Sequence, residues 1–195
     1  LALYDAEIAA NDEAFGTLVG WLEQKGLWDD TLLLFLSDHG EEFLEHGKTE
    51  HGRTLYEEQL RVPMVWKLPG GQGAGRRLET PVDQVDVAPT ILEAAGLAVP
   101  AALPGRSLWP ALAAGAALAE RPSVALLDRL SYAYESVYDR GFKLIRRLDR
   151  DTYRERPLDQ LFALPGDPFE RTDREAELPV RRALLESRLR AQRLA

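Results

Sequence analysis

Cysteine is absent from all 195 residues, which excludes disulfides and thiolate-held metals and leaves the redox compartment unread. No apolar run approaches the roughly 20 residues needed to cross a bilayer. The N-terminus also lacks the basic-then-apolar order of a signal peptide, so no membrane segment is indicated and localisation stays open. Positive charge is in short supply, with 24 Lys and Arg against 32 Asp and Glu and a net charge of −8. Such a balance opposes a phosphate backbone, so nucleic acid is not expected as a partner, and an anionic substrate must be held by local cations. The chain opens at Leu1 and enters a helical pattern at once, from which further upstream sequence is expected. Nothing speaks to oligomeric state.

What is present fits one ordinary α/β domain, since 45% hydrophobic residues suffices for a buried core. Apolar positions Tyr4, Ile8, Phe15, Leu18, Val19 and Leu22 recur at three- and four-residue steps and predict a helix over Tyr4 to Lys25, stopped by Gly26. Two short apolar runs, Thr31 to Leu36 and Val62 to Leu68, read as strands covered on both faces, the interior of an α/β sheet. Asp86 reads as the N-cap of a helix through Ala95, with Pro89 in the first turn and Gly96 at its end. Ser107 to Ala114 predicts a short helix. Beyond Arg121 the texture changes to β-prone segments, Val124 to Leu127, Tyr132 to Tyr138 and Phe142 to Arg147, the last two joined by an Asp139-Arg140-Gly141 turn. Glu175 to Leu194 returns to helical spacing, with Val180, Leu184, Leu185 and Leu189 on one face and a solvated arginine face opposite.

All three histidines, His39, His46 and His51, fall in one polar stretch with Asp38, Glu41, Glu42, Glu45 and Lys48. That stretch follows the strand ending at Leu36, and ligands of open α/β sheets bind outside the carboxyl ends of strands. Asp38 offers hard oxygens and His39 a borderline nitrogen, so the pair suits a divalent cation. Two adjacent ligands leave a shell incomplete, and Glu41, Glu42 and Glu45 are further candidates by composition. Taken as a tripeptide, Asp38-His39-Gly40 equally fits a capping aspartate with surface histidines.

The longer order resolves this. Ser37-Asp38-His39-Gly40-Glu41 precedes Glu45-His46-Gly47, His51-Gly52, Leu55-Tyr56-Glu57-Glu58 and Arg61-Val62-Pro63, and this succession resembles the sulfatase family of the alkaline phosphatase superfamily. Tyr4 to Ile8 with Asp12, Val85 to Leu92, Gly105-Arg106-Ser107-Leu108, Phe142 to Ile145, Leu161-Phe162 and Asp167-Pro168-Phe169-Glu170 are similar to further landmarks of that family. The resemblance implies an α/β fold: the C-terminal part of an alkaline phosphatase-like three-layer sandwich over residues 1–120, then a small antiparallel β subdomain with a C-terminal helix over 121–195.

It further implies that Asp38 and His39 hold a divalent metal, calcium foremost with manganese, magnesium or zinc as alternatives. His51 stands where the family places a basic residue that binds the sulfate and helps the ester oxygen leave, a role imidazole can fill near neutral pH. His46 is expected to orient the loop or touch substrate, and Lys48 to be surface or a substrate contact. Glu57, Glu58 and Arg61 read as pairs fixing a helix, and Asp83 and Asp86 as turn and cap residues. The implied substrate is a small-molecule sulfate ester.

One departure limits the match. Family enzymes use a formylglycine made in a Cys/Ser-x-Pro-x-Arg motif, and none of Ser37, Ser107, Ser123, Ser131, Ser136 or Ser187 begins one. No nucleophile is assigned, and formylglycine is expected in upstream sequence. Two further readings stand beside sulfate-ester hydrolysis: phosphodiester or phosphonate hydrolysis or phosphoryl transfer within the superfamily, and a non-catalytic module on the same fold.

Overall fold

An α-helix, α1, runs Ala2–Gln24, and its end shows how local sequence sets an element boundary. Gly26 turns to φ 67°. Its N–H then reaches the Glu23 carbonyl and that of Leu27 the Leu22 carbonyl, both at 2.9 Å, a left-handed stop. The computed structural model describes residues 2–129, 133–148 and 159–192. Tyr132 and Leu194, expected at the ends of a strand and of the last helix, lie outside them. The chain divides into two units.

The first unit comprises Leu1–Leu36, Pro63–Glu79 and Gln84–Leu118. Strands β1 (Leu33–Leu36) and β4 (Met64–Lys67) pair antiparallel from Leu33↔Lys67 to Leu36↔Met64. The expectation of strands covered on both faces needs correction here, because Phe35 is 46% and Val65 59% exposed. Phe15 meets Phe35 edge-on at 5.4 Å, a contact that leaves nearly half of Phe35 exposed. The predicted apolar face of α1 shares this fate, with Leu22 buried and Tyr4, Ile8 and Leu18 exposed.

Helix α3 (Val87–Ala94) has Asp86 at its N-cap position, as expected. Asp86 makes no side-chain cap bond to it. Instead Asp86 Oδ1 accepts the Arg106 N–H at 2.8 Å, while Thr90 Oγ1 donates to the Asp86 carbonyl and accepts the Leu108 N–H. A Cβ on Gly105 would lie 1.9 Å from the Val85 carbonyl oxygen, so only glycine permits this approach. Two separate sequence landmarks are therefore the two halves of one contact. Helix α4 (Trp109–Ala114) follows and ends on left-handed Gly115.

The second unit comprises Ser37–Val62, Thr80–Asp83 and Ala119–Ala195. Its frame is an antiparallel sheet in the order β5 (Ser123–Asp128), β6 (Ala133–Asp139), β7 (Phe142–Arg147), β8 (Asp159–Ala163). Arg140 and Gly141, at φ 50° and 82°, make the two-residue turn that right-handed strand twist favours between Asp139 and Phe142. Strand alternation separates two faces. Val137, Leu144 and Leu161 pack with Leu185 and Leu189 of α5 (Pro179–Gln192). Tyr134, Ile145 and Phe162, on the opposite face, pack with Leu55 and Tyr56.

On α5 the arginine face is not simply solvated. Arg182 pairs with Asp159 and Glu175 at 2.6 Å and Arg188 with Asp139 at 3.3 Å, while Val180, expected inward, is exposed. Asp83 likewise proves to be an ion-pair partner, of Arg121 at 2.8 Å, and it accepts from the Ser123 hydroxyl.

Candidate metal and substrate loop

The stretch 37–62, unlike a free surface loop, is built around buried acids. It contains a two-residue ribbon, β2 (Glu42–Phe43) with β3 (Thr49–Glu50), and a single helical turn, α2 (Glu57–Leu60). Glu42 is fully buried. Its Oε1 accepts the N–H groups of His46 and Lys48 at 3.2 and 2.8 Å and its Oε2 the Thr54 hydroxyl at 3.2 Å, so it closes the ribbon from inside. Glu45 Oε2 caps the Phe43 N–H. Of the three glutamates offered by composition, these two serve the loop's own backbone.

Asp38 and His39 leave the carboxyl end of β1. Asp38 Oδ1 accepts the His39 N–H at 3.0 Å, and Oδ2 stands 3.7 Å from His39 Nε2. His39 Nδ1 lies 2.9 Å from the Gly40 carbonyl. A carbonyl only accepts, so Nδ1 is placed to donate to it, which leaves Nε2 as the ring nitrogen beside Asp38. Two donors 3.7 Å apart also suit neighbouring positions around one cation bonded at about 2.3–2.6 Å. Gly40 holds this turn in place: its N–H reaches the Gln59 carbonyl at 2.9 Å, and a Cβ there would meet the Glu58 carbonyl oxygen at 1.9 Å. Among the described residues no group of three or more His, Cys, Asp or Glu converges as a metal site.

His51 stacks on His39 with ring centroids 4.0 Å apart. Its Nδ1 lies 3.3 Å from Glu41 Oε2, and the imidazole is 45% exposed. Sequence composition had pointed Glu41 at a metal; here it holds His51.

His46 is placed differently. Its ring stacks on Tyr56 at 3.6 Å, Nδ1 meets Glu58 Oε1 at 2.7 Å, and Nε2 meets the Glu170 carbonyl at 3.1 Å. Both partners accept, so both nitrogens are placed to donate, an arrangement that favours the cationic ring. Burial opposes that charge, but the hydrogen bonds to Glu58 and the Glu170 backbone, with the fields of both carboxylates, outweigh it and raise its pKa above the ordinary 6.5. Lys48 is half-buried, its backbone tied to Glu42.

Sequence reasoning missed the anchor beneath the loop. Lys143, 1% exposed on β7, lies 2.8 Å from Glu57 Oε1 and 2.9 Å from Glu170 Oε1, and Glu170 Oε2 accepts the Glu57 N–H at 2.6 Å. Burial lifts the Glu170 carboxyl above its ordinary range against the pull of Lys143. Glu57 and Glu58 do fix α2, but through Lys143 and His46 rather than through Arg61. The one available signal was indirect: Lys143 and Glu170 both sit inside segments that resemble family landmarks, a likeness that carried no pairing.

The mixed α/β chain with a small antiparallel sheet and a C-terminal helix has the alkaline phosphatase-like fold of its structural neighbours. The sulfatase family model matches residues 1–97. The chain belongs to the sulfatase family of the alkaline phosphatase superfamily. It is 30% identical over 200 residues to arylsulfatase K of Xenopus laevis, an alignment covering 97% of this chain and 36% of that protein. Its fold matches BT4656, solved in complex with its substrate D-glucosamine-2-N,6-O-disulfate, at a TM-score of 0.83 and 27% identity, covering 95% of this chain and 38% of that one. It also matches the phosphonate monoester hydrolase of Agrobacterium radiobacter at a TM-score of 0.80 and 26% identity, over 96% of this chain and 40% of that one. The chain thus spans well under half the length of these relatives. The family implies a divalent metal. No described helix is long and apolar enough to cross a membrane.

Proposed function

We propose that this chain is the C-terminal portion of an enzyme that hydrolyses small-molecule sulfate esters, with residues 1–120 contributing to the catalytic core and 121–195 forming the small subdomain. The observation that supports it most directly is the placement of Asp38 and His39 just beyond the carboxyl end of β1, with Asp38 Oδ2 3.7 Å from His39 Nε2. These two residues would hold the cation, calcium by preference, which when bound neutralises sulfate oxygens as a Lewis acid. The nucleophile, a formylglycine, is assigned to sequence upstream of residue 1.

His51 is the residue we assign to the leaving group. Glu41 orients its ring, and Nε2 can place a hydrogen bond or a proton on the departing ester oxygen. Lys48 is retained as a substrate cation. His46, with both nitrogens engaged, is assigned to anchoring the loop and not to substrate.

The second reading, phosphonate or phosphodiester hydrolysis, is favoured by the likeness to the phosphonate monoester hydrolase. The full-length protein carrying this chain should be assayed on 4-nitrophenyl sulfate and on 4-nitrophenyl phenylphosphonate. Faster turnover of the sulfate is expected, with Asp38→Ala losing bound metal by elemental analysis. Faster phosphonate turnover would transfer the assignment to the second reading, and an Asp38→Ala protein with unchanged metal would remove Asp38 from the site.

A further inference from the structure

Resting on that reading, we propose that Arg129 is a specificity-determining residue that binds a second anionic group, a carboxylate or a further sulfate, on the alcohol side of the substrate. Arg129 stands immediately after β5, in the connection toward β6, and its side chain is exposed. Its guanidinium nonetheless has a defined seat. A Cβ built on Gly52 would lie 2.7 Å from Arg129 Nη1, 3.0 Å from Cζ and 3.4 Å from Nε, so the guanidinium spreads over the bare Cα of Gly52.

That seat is rigid. Gly52 adopts φ 73°, and its N–H is held at 3.1 Å by the side chain of Gln59, itself buried and donating to the Glu50 carbonyl at 3.0 Å. The neighbour of Gly52 is His51, stacked on His39. The cation is thus parked one residue from the group assigned to the leaving oxygen, on backbone that cannot drift.

Charge explains why this arginine matters. The loop carries Asp38, Glu41, Glu42, Glu45 and Glu50, an acidic field that would repel an anionic leaving group. The nearby Arg53 is already paired with Glu50 at 2.9 Å. Arg129 pairs with no carboxylate among the described residues, and a guanidinium offers the planar, two-point donor face that matches carboxylate and sulfate. Its exposed head can meet an anion on binding, and its seat on Gly52 lies next to His51 in the chain.

The test uses the full-length protein and three substrates: N-acetylglucosamine 6-sulfate, whose leaving alcohol is neutral; glucosamine N,6-disulfate, whose leaving alcohol keeps a sulfate; and a sulfated glucuronate, which keeps a carboxylate. Arg129→Ala should lower the kcat/KM ratio of a charged substrate to the neutral one by about 10- to 100-fold, mostly through KM, as loss of a charge-assisted hydrogen bond predicts. Arg129→Lys should recover part of it, and added salt should lower the wild-type ratio while leaving that of Arg129→Ala unchanged. The charged substrate with the larger loss names the anion. An equal loss on all three substrates, or a ratio constant within about twofold, overturns the proposal. Should none of the three be turned over, sulfate-ester hydrolysis itself fails. Calorimetric binding of N-sulfoglucosamine and glucuronate then decides on Arg129: tighter binding by wild type than by Arg129→Ala supports it, and equal binding overturns it.

Discussion

Gly40 shows how one missing methyl group governs the candidate site. Its Cα lies so close to the Glu58 carbonyl that a side chain has no room, and the obstruction is backbone, which cannot rotate aside. Gly40→Ala should therefore cost about 1–3 kcal/mol as an overpacked position, read by urea unfolding. In the full-length protein it should also lower metal occupancy, because the turn that carries Asp38 and His39 is held by the Gly40 N–H on the Gln59 carbonyl. Wild-type stability in Gly40→Ala would show that α2 can move away. At Lys143 the cost arises from charge rather than volume. Lys143→Ala leaves the Glu170 carboxyl buried beside Glu57 with no cation, and removing one partner of a buried pair costs about 3–5 kcal/mol. A loss below about 1 kcal/mol would mean that water replaces the ammonium.

At the scale of elements, the loop 37–62 and the sheet β5–β8 are one device. Tyr56 packs on Tyr134, Ile145 and Phe162, Lys143 grips Glu57, and His46 joins Glu58 to the Glu170 carbonyl. The His46 pKa is raised in the folded state. Its stabilising contribution is therefore full below the unfolded value of 6.5 and is lost as pH rises through the folded value. The unfolding free-energy difference between wild type and His46→Gln should be largest in mild acid and shrink with rising pH; a difference that grows instead would exclude the cationic ring. The opposite face of the sheet behaves with the opposite sign. Burial resists ionisation of Asp159, but Arg146 and Arg182 outweigh it and lower its pKa. That contribution is present above pH 3.8 and lost as the pH falls through the depressed folded value, so Asp159→Asn should erase part of the acid sensitivity between them.

For the molecule as a whole, residues 1–195 carry the pair proposed to hold the metal, Asp38 and His39, and no assignable nucleophile. The chain alone should hydrolyse neither 4-nitrophenyl sulfate nor 4-nitrophenyl phosphate, since a cation and basic groups do not replace a covalent nucleophile. Turnover abolished by His51→Ala would locate one within these residues. Calcium should bind the chain weakly, because affinity rises with the number of oxygen donors and Asp38 with His39 leave most of the shell to water. Tight, Asp38-dependent binding in a calorimetric titration would mean that the loop supplies further ligands.

Local sequence determined what depends on neighbours in the chain: the helical period of α1, its stop at Gly26, the Arg140-Gly141 turn, and the order of motifs that carries the family resemblance. It also gathered His39, His46 and His51 into one stretch, but it could not sort them. Which histidine stands beside Asp38, which is held between Glu58 and the Glu170 carbonyl and which meets Glu41 follows from contacts as much as 124 residues away along the chain. The same holds for Asp86, which local propensity makes a cap and tertiary packing makes the clamp of Arg106, and for the arginines of α5. Periodicity and turn chemistry are short-range and can be read along the chain. Ion pairing and burial are set by whatever folding brings alongside, so only the tertiary structure decided them.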